Sequence, residues 1–203
     1  MALFSFSDLK STLAPAADAA DGSSKQQGIS VFKYIDSKAF SISNIKDLAP
    51  NLPAPGEIFF LWSVKSFNTF SFILYIIETS GKIKELTLST YNISRNVISA
   101  LMVLIDKGDI EHLNIILSDA SKSLFPRSYD LMTLEASKRP DRVSIAWCWN
   151  HSKIALMRTD TGHYILEGSG NFSDNSRHEQ YILLNDPNIF AYRHNWIMNE
   201  IKR

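Results

Sequence analysis

From Glu57 to Trp149 the chain alternates short apolar runs of strand length with longer runs of helical period, and this alternation limits the fold more than any other feature. IFFLWSV is an aromatic-rich run that fits a strand. NTFSFILYIIETSG has the length of a helix, an Asn-Thr start and a stop at Gly81. KIKELTLSTYN alternates as a strand, with Leu86 and Leu88 on one face. ISRNVISALMVLIDKGD sets Val97, Ile98, Leu101, Leu104 and Ile105 on one helical stripe and closes at Gly108. HLNIILSD fits a short buried strand with a polar end, SLFPRSYDLMTLEASKRP a helix closed by Pro140, and RVSIAWCW a further strand. Strands and helices in strict succession predict an α/β domain with a mainly parallel central sheet flanked by helices.

The segment before this block has a different character. Residues 11–28, STLAPAADAADGSSKQQG, are rich in Ala, Ser, Gly and Asp without an apolar period, as expected of an arm or linker. ISVFKYI then reads as a short strand, followed by AFSISNIKDL and the proline-marked loop APNLPAPGE. Residues 1–55 are therefore expected to form a partly flexible N-terminal appendage, and residues 56–203 the main domain.

Composition narrows the function classes. A hydrophobic share of 45% with 21% charged residues is that of a globular protein. Lys plus Arg equals Asp plus Glu at 21 each, so a nucleic-acid partner would have to be held by a local patch. Cys148 is the sole cysteine, which excludes an intramolecular disulfide and a Cys-rich metal site and fits a reducing, cytoplasmic setting. MALFSFSDLKS lacks the basic start and sustained apolar run of a signal peptide. The most apolar window, FFLWSVKSFNTFSFILYII, is broken by Lys65 and Asn68, so neither a span nor a membrane partner is expected.

Two polar fragments near the C-terminus, His151-Ser152-Lys153 and Gly168-Ser169-Gly170-Asn171, are candidates for one site. Read as one extended run, Val143 to Met157 would project every odd residue from one face, placing His151 beside Lys153 beyond a row of large apolar groups. RTDTG is a turn signal and HYILE a returning strand. Such an antiparallel hairpin carries Glu167 to Asn171 back beside His151. Gly168 and Gly170 would let backbone approach a ligand closely. An imidazole, a lysine ammonium and neutral Ser and Asn donors suit phosphate-ester cleavage, with the imidazole as nucleophile and the rest on the non-bridging oxygens. Nothing in this set requires a metal or another cofactor.

These residues resemble the signature of the phospholipase D superfamily: H-x-K, four residues, D, and after an interval G-S-x-N. Glu179 in RHEQYIL resembles the acid that follows in many members, and residues 57–200 resemble one half of the family fold, with the motif on a C-terminal antiparallel hairpin. The resemblance implies His151 as nucleophile, Lys153, Asn171 and Gly170 at the phosphate, Ser169 assisting, and Glu179 on the other imidazole nitrogen. It also implies two His-Lys motifs per site. This chain has one, which implies a homodimer with a composite site on its two-fold axis. The family Asp falls at position 158, where this chain has Arg158, and the nearest acid is Asp160 in the turn.

The implied activity is a metal-independent phosphodiesterase, a nuclease cutting DNA or RNA through a phospho-histidine intermediate. Two rivals stand beside it: a catalytically weak or inactive nucleic-acid-binding or assembly protein of the same fold, and a phospholipid hydrolase. His163 and His178 read as surface or turn residues, and Trp147, Trp149 and Trp196 as core or interface packing rather than stacking platforms.

Overall fold

The computed structural model describes residues 36–65, 67–174 and 177–203. These form one eight-stranded sheet with helices on both faces. In chain order the elements are β1 (Asp36–Ile42), β2 (Glu57–Ser63), α1 (Phe70–Ser80), β3 (Ile83–Thr90), α2 (Arg95–Lys107), β4 (Ile110–Ser118) and the short α3 (Ser121–Leu124). There follow α4 (Pro126–Ser137), β5 (Val143–Cys148), β6 (Ile154–Arg158), β7 (His163–Gly168), β8 (Gln180–Asn185) and α5 (Pro187–Ile201).

The strand order is β1-β2-β8-β7-β6-β3-β4-β5. β1 with β2, and β3 with β4 and β5, are parallel, whereas every pairing from β2 through β8, β7 and β6 to β3 is antiparallel. The sheet is thus mixed rather than mainly parallel, because the β6-β7-β8 meander is inserted between two parallel blocks. Apolar runs mark where strands lie. They carry no record of pairing direction when both faces are covered.

Residues 36–55, grouped on sequence with the N-terminal appendage, contribute β1, which extends the same sheet in register from Asp36↔Glu57 to Ile42↔Ser63. The expected strand ISVFKYI and the arm at 11–28 lie outside the described residues.

One face of the sheet carries α1, α2 and α4. The α2 stripe buries Val97, Ile98, Leu101, Met102 and Ile105, a register close to the predicted one. The helix starts on Ser94, whose Oγ accepts from Val97 N, and ends on Gly108, whose φ of 80° favours a residue without a Cβ. The other face carries α5, which lays Phe190 and Ile197 on Ile116, Ile154, Leu156, Ile165 and Leu184. β6 therefore divides its side chains between two cores, Ile154 and Leu156 to α5 and Ala155 and Met157 to the opposite layer.

Alternation from Val143 to Met157 does not mark a single extended run. β5 stops at Cys148 on the sheet edge, and β6 begins at Ile154 beyond β4 and β3. Residues 149–153 cross the C-terminal ends of those two strands. The carboxyl edge of a sheet of this class is where open crevices form, and both candidate fragments are delivered there.

Candidate active site

The β6-β7 hairpin forms as expected. Its register, Ile154↔Glu167, is extended by a bond from Gly168 N to Lys153 O of 3.2 Å, so G-S-G-N starts where H-S-K ends. Gly168 has a reason other than ligand access. A Cβ there would lie 2.5 Å from Gln180 O and 2.5 Å from the Tyr181 ring, so the glycine is what lets β8 close on β7.

The crossing segment is pinned by Asn150, a buried residue. Its Oδ1 accepts from Ser152 N at 3.0 Å and Ser152 Oγ at 2.7 Å, while its Nδ2 donates to Thr90 O at 3.3 Å. The Ser152 hydroxyl also pairs with that of Ser89. With Ser152 turned to the sheet, its neighbours face outward: His151 is exposed and Lys153 half-buried.

Lys153 Nζ donates to His151 O at 2.6 Å and lies 3.0 Å from His151 Nδ1. Both groups rest on Tyr91, the residue after β3: the imidazole at 4.7 Å between ring centroids, the ammonium 5.7 Å from the centroid. Burial pushes the Lys153 pKa below the ordinary lysine value, and the negative charge of Glu179 opposes that shift. A hollow of about 450 Å³ opens beside the imidazole, lined by Tyr91, Ser118, Ala120, Trp149, Asn150 and His151.

The G-S-G-N loop is anchored on both sides. Thr69 Oγ1 donates to the buried Gly170 O at 3.2 Å, and Phe172, fully buried, pairs with Ile93 while its carbonyl accepts from Ser94 N at 2.9 Å. Asn171 between them is half-buried, its Oδ1 3.5 Å from Thr90 Oγ1. Ser169 Oγ donates to the Glu179 carboxylate and accepts from Gln180 N at 3.1 Å. Glu179 is held in turn by Ser63, whose Oγ accepts from Glu179 N at 2.8 Å and whose own N–H donates to Glu179 O at 2.8 Å.

The structure thus gathers His151, Lys153, Ser169, Gly170, Asn171 and Glu179 on one edge of the sheet. Glu179 meets Ser169 there and Lys153 through its charge, whereas the expected place of a carboxylate on the imidazole is taken at Nδ1 by Lys153. Four contributing residues were not foreseen. Thr90 and Tyr91 end β3 in the polar run STYN, a usable signal because strand ends at the carboxyl edge face the crevice. Asn150 gave none, since its role follows from the crossing. Ser63 gave none either, its role resting on a pairing 116 residues away in sequence.

Arg158 lies at the opposite end of β6, bonded through Nη2 to Glu85 Oε2 at 3.0 Å. Glu85 Oε1 faces His194 Nε2 of α5 at 2.8 Å. These partners, the His194 bond foremost, hold the Glu85 carboxyl down at about 2. Asp160 pairs with Lys84 on the surface and does not reach the site. Among the described residues, no group of three or more His, Cys, Asp or Glu side chains is arranged to hold a metal ion, and no helix is long and apolar enough to cross a membrane.

No protein-family model matches the sequence, and no curated protein matches it. Solved structures do. A phospholipase D family member, Nuc from Salmonella typhimurium, superposes at a TM-score of 0.51 and 13% identity over 70% of this chain and 92% of Nuc. Phosphatidylserine synthase from Haemophilus influenzae gives 0.52 at 16% identity, over 78% of this chain and 43% of the synthase. Polyphosphate kinase from Porphyromonas gingivalis gives 0.52 at 17%, over 70% of this chain and 26% of the kinase. The chain shares the fold of these three proteins, the first of them a phospholipase D family member. It spans nearly all of the first of these proteins and less than half of the other two.

Proposed function

We propose that the chain is a metal-independent phosphodiesterase, a nuclease, that works as a homodimer with one composite site. The observation that carries the reading is the meeting of His151 and Lys153 with Ser169, Asn171 and Glu179 at the carboxyl edge of this fold. Lys153 brings a charge that burial has partly stripped of water, which strengthens its hold on a phosphate oxygen. Asn171 adds an amide donor for charge that develops on phosphorus, and Ser169, whose hydroxyl proton goes to Glu179, assists by holding that carboxylate in place.

In the first step the His151 Nε2 lone pair forms a bond to phosphorus, and the bond from phosphorus to one ester oxygen breaks. A bound phosphate draws Lys153 onto its oxygens, which releases Nδ1 to carry the ring proton. The leaving oxygen takes its proton from a second imidazole. In a two-fold dimer this is the partner subunit's His151, which then takes a proton from the water that splits the phospho-histidine. The surface around His151 supports such an arrangement. Trp149, two residues away, is 98% exposed, an apolar surface suited to cover by a second subunit.

The test is cleavage of single- and double-stranded DNA and RNA in EDTA by the wild type and by His151→Ala. Cleavage by the wild type alone is expected. Binding without cleavage in both proteins would turn the reading to a nucleic-acid-binding protein, and turnover of dispersed phospholipid alone would turn it to a lipid enzyme. A strictly monomeric protein at high concentration would remove the composite site.

A further inference from the structure

Along the same sheet edge from the phosphate site stands an aromatic and basic groove that the hydrolytic chemistry leaves unused. Trp62, near the end of β2, is 48% exposed and lies on the ring of His178, with centroids 5.9 Å apart and planes 19° from parallel. Both rings are fixed from behind. The Trp62 backbone is paired opposite Gln180 in the sheet, and His178 Nδ1 donates to Ser63 O at 2.8 Å. Trp62, Val64, Lys65, Arg177 and His178 line a groove of about 620 Å³. Neither Lys65 nor Arg177 forms an ion pair with another described residue.

The position of this groove relates it to the chemistry. From β2 through β8 and β7 to β6 is three strand spacings, roughly 14 Å, so the indole stands to one side of Lys153 along the sheet edge. Ser63, whose carbonyl holds His178, also holds the Glu179 that binds Ser169. We infer that the groove seats a nucleotide of a single-stranded nucleic acid on one side of the scissile diester, its base on Trp62 and its flanking phosphates on Lys65 and Arg177. An open platform of this kind takes any base by its flat face, but only a base free of a duplex stack can reach it. Two cations in the same groove as an aromatic face suit a charged strand better than an acyl chain. The inference deepens the nuclease reading and rests on it for the position of the scissile bond.

Binding is measured in the His151→Ala background by anisotropy of a short labelled oligothymidylate in EDTA. Trp62→Ala is expected to weaken it about five- to 150-fold. Trp62→Phe should keep most of the affinity, which separates stacking from a folding defect. Lys65→Ala and Arg177→Ala should each weaken binding and lower its salt dependence by about 0.7 in log–log slope. An unchanged affinity in Trp62→Ala overturns the inference, as does an equal loss on single strand and duplex. So does binding to phosphatidylglycerol vesicles that depends on Trp62 without oligonucleotide binding. A wild-type protein that cuts no strand yet binds through Trp62 keeps the groove and removes the hydrolytic reading. One that hydrolyses bis(4-nitrophenyl) phosphate but shows no Trp62-dependent binding does the reverse.

Discussion

Strand β6 has a polar cluster at each end, and the two are built on opposite terms. At its last residue, Arg158 and His194 close on Glu85, so the charges of that region answer one another beneath α5. At its first residue, backbone and buried Asn150 absorb the structural bonding, and His151 and Lys153 are left turned outward. Paired charges at one end fasten a helix. Groups held by their neighbours yet facing out at the other end are what a ligand needs. Four strand steps, roughly 13 Å, separate Arg158 from Ile154, so it does not reach the cluster of His151 and Lys153.

The sharpest way to break this contrast is His151→Ala. Diester hydrolysis should fall at least about 10³-fold, as loss of a nucleophile does, while the urea midpoint stays where it was because the side chain is exposed. A large fall in stability would mean that the outward end is structural after all. Next in size is Gly168→Ala, whose new methyl meets the Gln180 carbonyl. We expect a loss of about 1–3 kcal/mol in denaturant unfolding, with reduced activity as β7 and β8 part at Ser169.

Arg158→Asp, which restores the acid of the family pattern, sets a carboxylate against Glu85. It should cost about 1–2 kcal/mol and raise hydrolysis not at all. A gain in rate would place Arg158 back in the site. The smallest effect is that of Glu85→Gln, about 1 kcal/mol at neutral pH with activity intact. The Glu85 pKa, near 2, lies below the ordinary 4.5, so its charge stabilises the fold fully above about pH 4.5 and progressively less as pH falls towards 2. The deficit of the variant should shrink over that range in pH-dependent unfolding.

Much of this was legible in the residues. Helices α1, α2 and α4 and strands β3, β4 and β5 follow from period and punctuation, and the β6-β7 hairpin from RTDTG. The mixed sheet was not legible, because β6 buries residues on both faces and its pattern is the same beside a parallel or an antiparallel neighbour. α5 had a usable signal in Asp186-Pro187. Asp186 Oδ1 caps the helix through Asn188 N at 2.8 Å and Ile189 N at 3.1 Å, and a proline suits the first helical position. In the site, local strand logic brought Gly168 beside Lys153. It was silent on Ser63 and Thr90, which reach the site through pairings distant in sequence.

The crossing between β5 and β6 has a mechanical consequence. Three strand spacings, roughly 14 Å, separate those strands, and the six peptide steps from Cys148 to Ile154 reach roughly 20–22 Å when fully drawn out. Little slack remains once the chain has turned at each end. His151 hangs at midspan of a nearly taut tether, so its place is set by a length as much as by any bond. The Asn150 and Ser152 side chains hold the tether from the sheet side. A single residue added or removed would shift the imidazole away from Tyr91 and from the hollow beside it.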